Sequence, residues 1–214
     1  MAWCVERCLA RLRALLERLL LLPAGGGSAG APVELRDLEA AAPRSCHCDP
    51  QQHGAAAEVS RFCVSGCGAA LATTLVEQEA AYWEVEVVTA GSFCVGLAAP
   101  ARTPQDRARL ELALGDGVRS WALRSSAVDP PLASGDVVGV YLDQREFPIL
   151  KFNVIGDWSR VDEHKFCKGV KGDVRPAVSV DKGAILKFRF SAFKFPPSGE
   201  YAKFGPIIAA RSVI

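Results

Sequence analysis

Tyr82-Trp83-Glu84-Val85-Glu86-Val87 sets Trp83, Val85 and Val87 on one side of an extended backbone and Glu84 and Glu86 on the other. Successive side chains of a strand point to opposite faces, so this period of two predicts a half-buried strand whose glutamates face solvent. The same alternation runs through Ala184-Ile185-Leu186-Lys187-Phe188-Arg189-Phe190, with Leu186, Phe188 and Phe190 on the core side and Lys187 and Arg189 on the other. Around these two, short runs bounded by glycine and proline predict strands at 58–64, 69–76, 92–98, 118–124, 136–142, 148–154 and 176–180. No helix-length periodic segment separates them, apart from a turn or two within 104–112. The pattern is that of an all-β sandwich or barrel.

Individual residues refine this reading. Gly135-Asp136 fits a tight turn into a buried strand, because glycine tolerates the dihedrals and the aspartate caps the turn. Gly96 and Gly139 inside strands predict a close backbone approach or a bulge, and Pro176, which has no N–H for a ladder, a strand start or edge.

An ordered set of segments resembles the SPRY domain family. It comprises Tyr82 to Val87, Phe93-Cys94-Val95-Gly96-Leu97-Ala98, Leu114-Gly115-Asp116 with Ser120-Trp121, and Gly135-Asp136-Val137-Val138-Gly139-Val140 with Leu142-Asp143. Ile149 to Asn153 and Arg175-Pro176-Ala177-Val178-Ser179-Val180 complete it, and the spacing is closest to the family's small single-domain type. The resemblance spans roughly residues 58–200 and implies a bent antiparallel β-sandwich of the concanavalin A-like group that binds peptides or proteins through loops at one end. Relatives commonly carry an Asn-Gly turn where this chain reads Asn153-Val154-Ile155-Gly156-Asp157. The hairpin there is expected to be longer or differently registered, and the family's peptide-contact residues do not transfer, because those loops do not match.

Length and composition bound what remains. At 214 residues, half of them apolar, the chain holds one well-buried domain plus a modest extension. A net charge of +1 does not favour nucleic acid as a partner. Eight cysteines without a regular framework spacing fit a reducing, cytoplasmic setting. The expected organisation is an amphipathic helix at 1–22, a flexible linker and lead-in at 23–54, the SPRY domain at 55–205 and a C-terminal tail at 206–214.

From Trp3 to Leu22, Val5, Leu9, Leu12, Leu15, Leu16, Leu19 and Leu20 recur at helical spacing, and Pro23 closes the helix. Arg7, Arg11, Arg13, Arg18, Glu6 and Glu17 argue against a spanning segment, and the apolar run Leu19–Leu22 is short for a signal peptide. Two readings stand. The leucine face packs on the domain or on a copy of itself, or the helix rests peripherally on a membrane surface with Cys4 and Cys8 as an acylation pair. Within Gly25–Gly30 the text matches both a dinucleotide and a hydrolase pattern, but no strand precedes it as either chemistry requires, so Ser28 reads as linker.

Candidate chemistry is sparse. Cys46, His47, Cys48, Cys63 and Cys67 supply soft donors, yet their spacing is not that of a common zinc site, and ordinary thiols are the simpler reading; no metal or cofactor is expected. His53 and His164 lie near no nucleophile motif. Glu84 and Glu86 could suggest a glycosidase pair, but two carboxylates at adjacent positions of one face read as solvated. Loops 99–113, 125–134 and 156–173 are the expected partner-binding surface, with Arg102, Arg107, Trp158 and Phe166 as candidate contacts. The favoured function is a non-enzymatic adaptor binding a protein or peptide; the alternative is an enzyme or carbohydrate-binding protein on the same lectin-like sandwich.

Overall fold

A computed structural model describes residues 46–115, 119–154, 167–170, 172–181 and 183–208. The helix expected at 1–22 with Cys4 and Cys8, the Asn-Gly departure beyond Val154, and Trp158, His164 and Phe166 lie outside the described residues. In chain order the strands are β1 Cys48–His53, β2 Ala57–Val59, β3 Cys63–Gly66, β4 Gly68–Ala72, β5 Ala80–Thr89, β6 Ser92–Ala98 and β7 Ser120–Arg124. There follow β8 Val137–Asp143, β9 Ile149–Val154, β10 Cys167–Lys168, β11 Arg175–Asp181, β12 Ile185–Arg189 and β13 Gly205–Pro206. A short helix, α1, spans Pro104–Ala108.

Two sheets result. One runs β1-β4-β11-β6-β7 and the other β10-β9-β8-β5-β12-β3-β2, all antiparallel, with β13 added parallel to β5. Trp83, Val85 and Val87 enter the main core, as their alternation predicts, and meet Phe93, Val95, Leu97, Val138, Val140, Phe152, Leu186 and Phe188. Each such side chain buried contributes roughly 1.5–3 kcal/mol of transfer free energy.

The glycine expectations hold at three points. A Cβ on Gly96 would sit 2.0 Å from the Trp121 carbonyl oxygen, so β6 and β7 approach closely only because none is there. Gly139 lies under the Tyr82 ring, where a Cβ would be 2.8 Å from the phenolic oxygen. Gly135 adopts a φ of 92°, and the Asp136 carboxylate accepts the Ala133 N–H at 2.8 Å, closing the turn into β8. Pro176 is the second residue of β11, one position before the ladder with β4 begins.

Some strands differ from the reading. The expected strand 58–64 is broken into β2 and β3, which pair with each other. β1 falls in the segment read as linker and lead-in; Asp49-Pro50-Gln51-Gln52 shows no alternation, and the strand pairs with β4 only at Cys48 and His53, across an irregular register. Ile207, in the segment read as tail, is 8% exposed.

The clearest correction concerns Glu84, read as solvated and found fully buried. Residues 191–207 cross the outer face of the larger sheet as a strap, bringing Phe193, Tyr201 and Phe204 against Tyr82 and Tyr141. Glu84 lies beneath it: Oε1 accepts the Phe195 N–H at 2.7 Å and the Tyr82 hydroxyl at 2.9 Å, and Oε2 accepts the Lys194 N–H at 2.8 Å. A buried carboxylate is tolerated when its lone pairs are met in this way. Glu86 instead pairs with Arg189 at 2.7 Å. Both glutamates therefore have structural partners, and the glycosidase reading loses its acid and base.

Candidate functional site

The outer face of the smaller sheet carries mostly small side chains, Ala69, Ala98 and Ala177 beside Leu71 and Cys94. Small residues leave room for a cover, and the segment 99–115 supplies it. Thr103 caps α1 in a reciprocal capping box with Asp106, with Pro104 in the first turn. The following 3₁₀ turn, Arg109–Glu111, then presses Leu110 onto the alanines, and Leu114 follows.

The far edge of this cover leaves a cleft of about 180 Å³. Its walls come from five places in the chain: Cys67 and Gly68 at the start of β4, Ser92 to Cys94 in β6, Glu111 and Ala113 in the cover, Arg124 to Ser126 at the end of β7, and Ser179 to Asp181 at the end of β11. Register explains the convergence, because Ser179 stands opposite both Ala69 and Cys94, and Cys94 opposite Arg124. A cleft built from several rigid elements, with a few polar groups aimed into it, is the general form of a recognition site.

Several of those groups are fixed. The Ser179 hydroxyl, 3% exposed, accepts the Leu114 N–H at 3.0 Å and ties the cover to β11. Ser125 Oγ accepts the Phe93 N–H at 3.2 Å, and Glu111 accepts the Ala55 N–H at 2.7 Å. Burial pushes the Cys94 thiol up from its ordinary pKa, offset in part by its hydrogen bond to Ser179 and by the Arg124 charge. The thiol stays protonated at neutral pH, so the cleft wall carries hydroxyls, the thiols of Cys67 and Cys94, the Arg124 guanidinium and the carboxylates of Glu111 and Asp181. This set suits hydrogen bonding to a polar ligand; it contains no nucleophile paired with a base.

Loops 99–113 and 125–134 both reach this cleft, through Glu111, Ala113, Ser125 and Ser126 and not through the arginines. Arg102 lies at the other end of the sheet, paired with Asp173 on an exposed surface, and Arg107 donates to the Gln51 carbonyl at 3.3 Å. The cleft residues Ser92, Cys94, Arg124 and Ser179 were not singled out from the sequence. Ser179, a hydroxyl amid Ala177, Val178 and Val180, was the available signal.

Among the described residues no group of three or more His, Cys, Asp or Glu side chains could hold a metal ion. The cysteines considered for zinc are accounted for differently. Burial, with smaller contributions from Cys63 and Cys46, pushes Cys48 up to about 12, and burial likewise raises Cys46.

Comparison with known proteins agrees with this architecture. A sequence model of the SPRY domain matches residues 80–193. SPRY domain-containing protein 7 of Gallus gallus is 27% identical over 154 residues, covering 65% of this chain and 72% of that protein. The Bos taurus protein of the same name is 27% identical over 153 residues, with the same coverage. The crystal structure of the SPRY domain of human HERC1 superposes with a TM-score of 0.51 at 17% identity, covering 69% of this chain and 99% of that one, a likeness of fold. With its sheets, its strand motifs and more than half its length matched, the chain belongs to the SPRY domain family.

Proposed function

We propose that this chain is an adaptor that takes a short polar peptide segment of a partner protein into the cleft between Cys94, Arg124, Ser126 and Ser179. SPRY domains are generally protein-interaction modules, and the observation that carries the reading here is the convergence of five chain segments on one cleft with hydroxyl, guanidinium and carboxylate groups in its wall. Hydroxyls and small side chains suit a main-chain ligand, whose N–H and C=O groups need partners but little volume.

Ser126 gives the direct test, because it lines the cleft and is exposed. Ser126→Trp fills the cleft, so it should abolish recovery of partners that proximity labelling finds with the wild-type chain, at unchanged thermal stability. Undiminished recovery by Ser126→Trp, with loss in Arg102→Ala instead, would move the site to the opposite end. The adaptor reading also includes an intracellular setting and a membrane-surface tether through residues 1–22, supported by the arginine-bearing leucine repeat and by Cys4 and Cys8. Equal partition of wild type and Cys4→Ser/Cys8→Ser between membrane and soluble fractions would remove the tether and leave the cleft untouched.

A further inference from the structure

The cover that walls the cleft has a closed base. Ala98 stands opposite Ser120, and the Ala99 N–H donates to the Arg119 carbonyl at 3.0 Å, so the two ends of the segment meet. Arg119 has a φ of 68°, a left-handed conformation that is costly for a residue with a side chain and that concentrates at ligand clamps and switch regions. Toward the sheet the hold is light. Leu110 and Leu114 rest on alanines, Ser179 takes the Leu114 N–H, and a second hollow of about 30 Å³ beside the two leucines leaves their seat incompletely filled.

The other ties run to five consecutive residues, 51–55. Gln52 in β1 spans the Ala101 backbone with its amide: Oε1 accepts the Ala101 N–H at 2.8 Å and Nε2 donates to the Ala101 carbonyl at 3.2 Å. Arg107 donates to the Gln51 carbonyl, and Glu111 accepts the Ala55 N–H. Gly54 comes so near the Leu110 carbonyl that a Cβ there would be 2.6 Å from its oxygen. β1 itself meets β4 only at Cys48 and His53. Its side-chain anchor is Asp49, which accepts from Arg175 Nη1 at 2.8 Å and from the Gln51 N–H at 2.9 Å. Undocking of β1 would therefore withdraw the cover's ties to 51–55 together.

We propose that residues 51–55 are a latch on the cover: while β1 is docked the Glu111–Ala113 wall of the cleft stands, and when β1 is released the cover lifts from the alanine face and the cleft is lost. This rests on the peptide reading of the cleft and adds its regulation. The coupling is reciprocal, so a peptide that holds the wall closed also strengthens the docking of β1. β1 is the first strand among the described residues, so a load carried by residues 1–45 reaches the sandwich through it.

Cys94 reports the cover's position, because it is 4% exposed and clusters with Leu110 and Leu114. Its alkylation rate in the native full chain measures how often the cover lifts. Iodoacetamide labelling read by mass spectrometry should accelerate about tenfold at Cys94 in Gln52→Met, which keeps the side chain's length and loses both of its bonds to Ala101. Asp49→Ala, whose hydrogen bonds go to Gln51 and Arg175, should accelerate it several-fold through β1 alone. Amide exchange in β8 should be unchanged in both variants, which separates lifting of the cover from global unfolding. Both should also lower recovery of the partners that Ser126→Trp loses. A wild-type Cys94 rate in either variant overturns the latch, as does an acceleration matched by the β8 amides. Fast Cys94 labelling with full recovery of those partners overturns it too. If Ser126→Trp loses no partner, the peptide reading fails by itself, and the thiol and amide rates still decide the latch.

Discussion

The two sheets solve the same problem with opposite chemistry. The smaller sheet turns alanines outward and is covered by the segment 99–115 through Leu110 and Leu114, an apolar contact that is graded and non-directional. The larger sheet turns Tyr82, Glu84 and Tyr141 outward and is covered by the strap, whose backbone amides are read by one carboxylate. An apolar cover loses stability in proportion to the area removed. A polar clasp fails more abruptly, because removing the acceptor leaves buried donors without partners.

Glu84→Ala should therefore be the most damaging change. It strands the Lys194 and Phe195 amides, at about 1–3 kcal/mol for each group left unsatisfied, while the Tyr82 hydroxyl keeps the Phe195 carbonyl as acceptor at 2.9 Å. Urea denaturation measures the loss, and limited proteolysis should cut within 191–207 before the rest of the domain. If Glu84→Ala unfolds as late as wild type, the clasp has no energetic weight. Leu110→Ala should cost about 2–5 kcal/mol, the range for a buried leucine that leaves a cavity, with cleavage shifting to the cover instead of the strap. A similar cleavage pattern in both variants would erase the distinction between the two covers.

Smaller effects sharpen the contrast. Arg102→Ala removes an exposed ion pair with Asp173, so the melting temperature should change by less than about 1 kcal/mol implies. The last effect is absent at neutral pH. Cys48 has its thiol raised to about 12 in the fold, against about 8.5 for a free cysteine. The folded state therefore holds its proton more tightly than the unfolded one. The associated stability is complete below about 8.5 and is lost as pH rises toward 12. Denaturation curves of wild type and Cys48→Ala should converge in alkaline buffer, and iodoacetamide at pH near neutral should label exposed Cys67 well before Cys48.

How much was legible follows from what alternation can report. Trp83, Val85 and Val87 are core because apolar residues at every second position leave no other stable arrangement for a strand. Glu84 and Glu86 carry the same letter in that pattern and meet different fates, one beneath the strap and one beside Arg189 at the sheet surface. The deciding partners, Lys194 and Phe195, are 110 and 111 residues away from Glu84. β1 escaped notice because Pro50 and its polar neighbours show no period, and its pairing rests on the neighbouring β4. The cleft was hidden for a related reason: Ser92, Arg124 and Ser179 are ordinary residues until antiparallel register sets three strand ends side by side.

By itself, then, the sequence determined strands β4 to β9, β11 and β12, the glycines that let β6 meet β7 and β8 lie beneath Tyr82, and the SPRY membership those motifs carry. Local dihedral preference and period-two burial are properties of neighbouring residues, and neighbours suffice to specify them. Only the tertiary structure decided which polar face is covered, that Arg102 and Ser126 stand at opposite ends, and where a cleft opens. Those outcomes depend on which distant segment reaches a surface first and satisfies its polar groups, and no local pattern encodes that.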